Sequence, residues 1–178
     1  MRYLPALVLL AVVVLGCVEN RENGKVEVPT LPPVVTYDRA IGACNLTGLT
    51  GITLNNYSGK WMWELTFENG TTTVFCRVDG KGKNVSIIKL PVTLHSDPIP
   101  LRKIRIDEHA AFEAAIENER VVKWIENHNA RIDRISLESS PKVTLWRIYL
   151  SAEKSFLMVA VNATSGDLIS VRGASFGW

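Results

Sequence analysis

From Ile52 to Lys89 and again from Arg131 to Arg172, apolar and polar side chains alternate in runs of six to nine residues separated by turn formers. A period of two places successive side chains on opposite faces of a strand, so this pattern demands antiparallel sheet with one apolar face. Trp61, Trp63, Leu65 and Phe67 share one face, with Met62, Glu64 and Thr66 on the other. Asn69-Gly70 then predicts a type I′ hairpin, and the chain returns with Val74, Cys76 and Val78 on the apolar side. Asp79 to Asn84 reads as a polar turn and Val85 to Leu90 as a further strand. Ahead of these strands, Tyr37, Ala40, Ile41 and Cys44 fall at helical spacing.

The second half follows the same order. Leu101 to Ile106 reads as a strand, Asp107 as an N-cap, and Glu108 to about His128 as one helix burying Ala111, Ala115, Val122 and Ile125. Strands follow near Arg131 to Glu138, Val143 to Ser151, Ser155 to Val161 and Leu168 to Arg172. Sliding the sequence on itself by 83 positions superposes Ile52 on Ile135, Leu54 on Leu137, Trp63 on Trp146 and Val78 on Val161. Twelve of fifteen hydrophobic residues between Ile52 and Lys89 then meet a hydrophobic residue, which points to duplication. The expected fold is α+β: two tandem repeats, 36–95 and 96–174, each one helix packed on a curved antiparallel sheet of about four strands, with a short tail at 175–178.

The N-terminus has a different character. Arg2 and an apolar run from Leu4 to Leu15 precede Gly16 and Cys17, and the fifteen apolar residues ending at Val18 fall short of the roughly 20 that a membrane-spanning helix needs. Residues 1–16 read as a signal peptide. Val14-Leu15-Gly16-Cys17 is similar to a lipobox, in which Cys17 is the lipid attachment site. An uncleaved anchor is the alternative; either way the remainder is expected on the extracytoplasmic face of the cell membrane. Residues 17–35, with Pro29, Pro32 and Pro33, read as a flexible tether.

With Cys17 given to lipid, Cys44 and Cys76 remain as a disulfide candidate. Two separately buried thiols are the alternative. Asn-x-Ser/Thr occurs at Asn45, Asn56, Asn69, Asn84 and Asn162, all glycosylation candidates in an exported chain. The alternative reading is that these residues gather in hairpin turns.

Reactive chemistry has no foothold in the sequence. G-x-S-x-G, H-E-x-x-H, C-x-x-C and the phosphate-binding glycine loop are all missing, and Asp79-Gly-Lys-Gly-Lys83 has the wrong spacing for the last. His95, His109 and His128 are scattered; His95 with Asp97 is the nearest approach to a metal pair. We therefore expect no enzyme, no cofactor and no metal. Twenty basic against eighteen acidic residues leave no field for nucleic acid. Tyr149, Phe156 and Met158, on the face opposite the expected core, and Trp61 are candidates for an interaction face, covered by a protein partner or a second copy of the chain.

KIRIDEHAAFEAAI at 103–116, Trp146 opening the central hairpin, and VNATSGDLI at 161–169 together resemble the PepSY domain, the module of thermolysin-type peptidase propeptides and many exported proteins. The resemblance implies a small cystatin-like α+β binding or regulatory module without catalytic residues, whose partner could be an exported peptidase. A structural or assembly role in the cell envelope is the alternative.

Overall fold

The structure, a computed structural model, describes residues 28–175. The expected signal peptide at 1–16, the lipid site Cys17, the tether up to residue 27 and the last three residues of the tail lie outside the described residues. Element order is α1 (Tyr37–Cys44), β1 (Leu49–Tyr57), β2 (Lys60–Asn69), β3 (Thr72–Asp79), β4 (Val85–Leu90), α2 (Glu108–Ile116), α3 (Glu119–His128), β5 (Arg131–Ser139), β6 (Thr144–Ala152), β7 (Ser155–Asn162) and β8 (Leu168–Ser175).

All eight strands form a single antiparallel sheet in the order β4-β3-β2-β1-β5-β6-β7-β8. This overturns the expected fold class of two tandem helix-on-sheet repeats. The first strands of the two meanders pair with each other, Ile52 opposite Leu137 and Leu54 opposite Ile135, and all four are buried in one core. Had the meanders stood apart, β1 and β5 would each carry an unpaired edge; joining them satisfies both rows of backbone groups and buries the seam. The helical complements also differ, one helix over the first meander and two over the second, so the halves are not equivalent units. The 83-residue offset has a geometric reading: Thr53 lies opposite Ser136 at the centre of the seam, so matching strands on either side are separated by that number of positions.

The alternation set the faces as anticipated. Trp63, Leu65 and Phe67 of β2 and Trp146, Ile148 and Leu150 of β6 are buried under the helices. Each such side chain contributes about 1.5–3 kcal/mol by leaving water. The two tryptophans also fix the chain ahead of a helix. Trp63 Nε1 donates to Val35 O at 2.7 Å, two residues before α1, and Trp146 Nε1 donates to Ile106 O at 3.0 Å, two residues before α2.

Three local expectations need correction. Leu101 to Ile106 is no strand: Leu101–Lys103 is a 3₁₀ turn, and the backbone N–H groups of Arg105 and Ile106 reach Ala163 O instead of a neighbouring strand. The long helix is broken at Glu117–Asn118, where Asn118 Oδ1 caps α3 by accepting from Arg120 N and Val121 N. The break resets the helical phase, so Val121 and not Val122 is buried beside Ile125. The Asn69-Gly70 hairpin closes as Asn69 opposite Thr72, with positive φ at Gly70 and not at Asn69 or Thr71. That is the signature of a type II′ turn, with glycine at the first central position, in place of the expected I′.

Candidate functional site: an uncovered sheet edge

Strand β4 ends the sheet, and all six of its residues are exposed. Val85, Ile87, Ile88 and Leu90 keep 42, 47, 46 and 38% of their surface, and Val92 and Leu94 just beyond keep 49 and 54%. Aliphatic side chains project from both faces of the strand, since Ile87 lies opposite core residue Cys76 and Ile88 opposite Phe75 on the other face. An edge strand normally carries charge or proline to discourage pairing; here Lys89 and Pro91 serve, against four exposed aliphatic residues. In sequence, apolar residues at both parities leave the burial of a strand undecided, and its position last in a meander is the signal that it forms an edge.

The backbone of β4 is readable from its neighbours. Gly80 N donates to Trp61 O at 2.9 Å and Asp79 N to Asn84 O at 3.0 Å. Hydrogen-bonded and non-bonded pairs alternate along an antiparallel ladder. With the register Val78↔Val85 through Thr73↔Leu90, Ser86, Ile88 and Leu90 turn their N–H and C=O groups to β3. Val85, Ile87 and Lys89 turn theirs outward. Among the described residues no strand pairs with them.

The residues proposed from sequence as an interaction face fall elsewhere. Tyr149, Phe156 and Met158 lie on the sheet face opposite the three helices, Tyr149 directly across from Met158. Their neighbours make that face tolerable to water. The Arg134 guanidinium sits 4.1 Å above the Tyr149 ring, and Arg147 Nη1 lies 3.2 Å from Met158 Sδ. Glu138 pairs with Arg147 Nε and accepts from Tyr149 OH at 3.4 Å. Farther along, Glu64 accepts from Arg77 Nε at 2.7 Å and Asn55 Nδ2 at 2.8 Å. Trp61 is on the helix side instead, half-buried against the core with its carbonyl bonded to Gly80.

The Asp79–Asn84 and Asn162–Gly166 turns both have structural work. Asp79 accepts from Lys83 N and Asn84 Nδ2, and the Lys83 backbone bond foremost holds its carboxyl below the usual carboxylate range. Asn162 Oδ1 accepts from Thr164 N and Ser165 N, Gly166 supplies the left-handed φ of 82°, and Thr164 Oγ1 ties the turn to Lys103 O. Of the five sequon asparagines, Asn45 and Asn69 are exposed, Asn84 is engaged with Asp79, and Asn56 donates to Ile132 O at 2.9 Å. Cys44 and Cys76 are joined as a disulfide.

Among the described residues no three His, Cys, Asp or Glu side chains converge as a metal site, and no helix is long and apolar enough to cross a membrane. One buried acid stands out. Glu108, in the first turn of α2, has no exposed surface; its oxygens face Tyr37 N at 3.4 Å and His109 Nδ1 at 3.2 Å. Burial pushes its carboxyl above the usual range, helped by the nearby Asp107 charge, while its own backbone N–H, His109 and Tyr37 N oppose the shift. Because the folded chain binds this proton more tightly than the unfolded chain, the group's contribution is full at acid pH and is lost as pH rises through the folded value. Glu108→Gln should therefore match the parent at pH 4 and exceed it by on the order of 1 kcal/mol at pH 7, the scale of an imperfectly satisfied buried polar group. Urea titrations at both pH values test this; a difference independent of pH would refute it.

No family model matches the chain, and no curated protein matches it. Among solved structures it is similar to a candidate lipoprotein from Clostridium difficile 630, with a TM-score of 0.63 and 15% identity, covering 81% of this chain and 96% of that one. At that identity the likeness concerns the fold.

Proposed function

We propose that the chain is a lipoprotein held at the outer face of the membrane through Cys17, working by binding another protein rather than by catalysis. The observation that carries this reading is the β4 edge: backbone donors and acceptors that no described strand pairs, flanked by exposed aliphatic side chains, the arrangement used in β-strand addition. The lipobox at 14–17 and the fold shared with a candidate lipoprotein support the anchored location. The PepSY resemblance, which rests on the residues quoted for it alone, favours a regulatory role, with an exported peptidase among the partners to examine.

A photo-crosslinking side chain at position 88, with a control at exposed Asn45, tests both parts in intact cells. We expect a discrete protein adduct in the membrane fraction from position 88 and none from position 45. Combining the probe with Cys17→Ser should move the chain out of that fraction or leave it unprocessed. Absence of any adduct from position 88 would refute the binding reading, and unchanged lipid labelling of the Cys17→Ser chain would refute the lipid anchor.

A further inference from the structure

We propose that the outer edge of β4 receives an extended, aliphatic segment of a partner protein that carries a carboxylate at each end, hydrogen-bonded to Val85, Ile87 and Lys89. This rests on the protein-binding reading above and adds the chemistry of the partner. Three outward backbone sites at alternate residues define a strand-length seat of five residues. The helix-side row of that seat runs Val85, Ile87, Lys89, with Lys83 leading into it. An incoming strand would set two aliphatic side chains opposite Val85 and Ile87, and acids opposite Lys83 and Lys89.

Charge decides between occupants. Residues 80–96 contain Lys81, Lys83 and Lys89 and no carboxylate. Asp79 and Asp97 border this stretch, and Asp79, the acid next to the turn that leads into β4, is turned into its own loop on Lys83 N and Asn84. Pairing β4 with β4 of a second copy would bring two such sets of lysines along one seam, which like-charge repulsion disfavours. A lipid surface could take the lysines and the aliphatic groups but not the outward N–H and C=O groups, which hydrocarbon leaves unsatisfied. A strand with acidic ends meets all three demands.

The probe is the capped peptide Glu-Thr-Val-Thr-Val-Thr-Glu, whose palindromic sequence presents the same side chains in either direction, against its counterpart with lysine at both ends. Both are titrated into the full-length protein in detergent micelles. We expect the acidic-ended peptide to bind about tenfold more tightly than the lysine-ended one, the scale of one favourable charged contact. It should slow amide exchange at Val85, Ile87 and Lys89 but not at Ser86, Ile88 and Leu90, already bonded to β3. Ile87→Pro removes one outward N–H without touching the β3 ladder, and should weaken binding by about tenfold or more with the fold intact. Lys89→Glu should narrow or reverse the charge preference.

Equal binding of both peptides would overturn the proposal, as would undiminished binding to the Ile87→Pro chain. Protection of the three outward amides without peptide would also overturn it, assigning the edge to a second copy if it grows with protein concentration and to the chain's own N-terminal residues if it does not. Failure of the acidic-ended peptide with the position-88 adduct preserved would sink this proposal alone; loss of both would sink the binding reading beneath it.

Discussion

Truncation of Trp146 to alanine is expected to destabilise the protein by about 3–5 kcal/mol, and to do so for the whole chain at once. The side chain is fully buried near the start of β6, between Leu137 of β5 and Val161 of β7. Tyr37 of α1 meets its ring edge-on at 5.7 Å between centroids, and its Nε1 holds Ile106 O ahead of α2. Removing it therefore opens a cavity at the point where the helix of the first half touches the sheet of the second. It also leaves a carbonyl without its donor, a cost of about 1–3 kcal/mol where water is excluded. Trp146→Phe separates the two contributions, since phenylalanine restores most of the volume and none of the hydrogen bond. Urea unfolding followed by far-UV circular dichroism and by the fluorescence of the remaining tryptophans should give one coincident transition in every variant. A first transition confined to 96–174, leaving the other half folded, would show that the β1·β5 seam does not couple the halves.

That seam is where sequence and structure part. Each strand was legible because its alternation is a local property: Trp63, Leu65 and Phe67 announce their face without reference to anything else in the chain. Which strand lies beside which is not local. Ile52 and Leu54 carry the same alternation whether β1 ends a small sheet or lies in the middle of a large one, so nothing in the pattern distinguishes two sheets from one. The break between α2 and α3 was partly legible, because Asn118 is a strong capping residue. Continuing the helical phase through it selected Val122, where the reset phase buries Val121.

The surroundings of the other sheet face depend on register in a related way. Tyr149, Phe156 and Met158 look too apolar for a solvated face when read along their own strands. Their shelter comes across strands, from Arg134 over the ring and Arg147 beside the sulfur, in pairs that depend on register. In β4 the strand order acts the other way. Its aliphatic side chains look like those of a buried strand, and only the strand order leaves them at an edge with α1 covering part of one face. The binding role proposed for that edge rests on the conjunction of outward backbone groups, aliphatic flanks and lysines.

Loss of the Cys44–Cys76 disulfide should be the second large effect, and it bears on the same edge. The bond spans 32 positions, and constraining an unfolded loop of that length contributes about 3 to 4 kcal/mol in the chain-entropy account. We expect a decrease of that size for the double variant Cys44→Ala, Cys76→Ala, measured by urea titration. Reductant should change the mass of the alkylated parent by two blocked thiols and leave the double variant unaltered. The native bond should react slowly, because both cysteines are buried and must be exposed by opening first. The consequences are not confined to global stability. At eight residues α1 is too short to persist unaided, and it is held to the sheet by Ala40 in the core and by Cys44 through Cys76 of β3. Cys76 in turn lies opposite Ile87. Cutting the bond should therefore speed amide exchange in α1 and along β3·β4 more than in β6 and β7. Uniform acceleration across all eight strands would mean that the bond acts on the unfolded chain alone. Faster exchange confined to α1 and β4 would mean that an oxidising compartment is needed to keep the β4 edge in the shape a partner strand would meet.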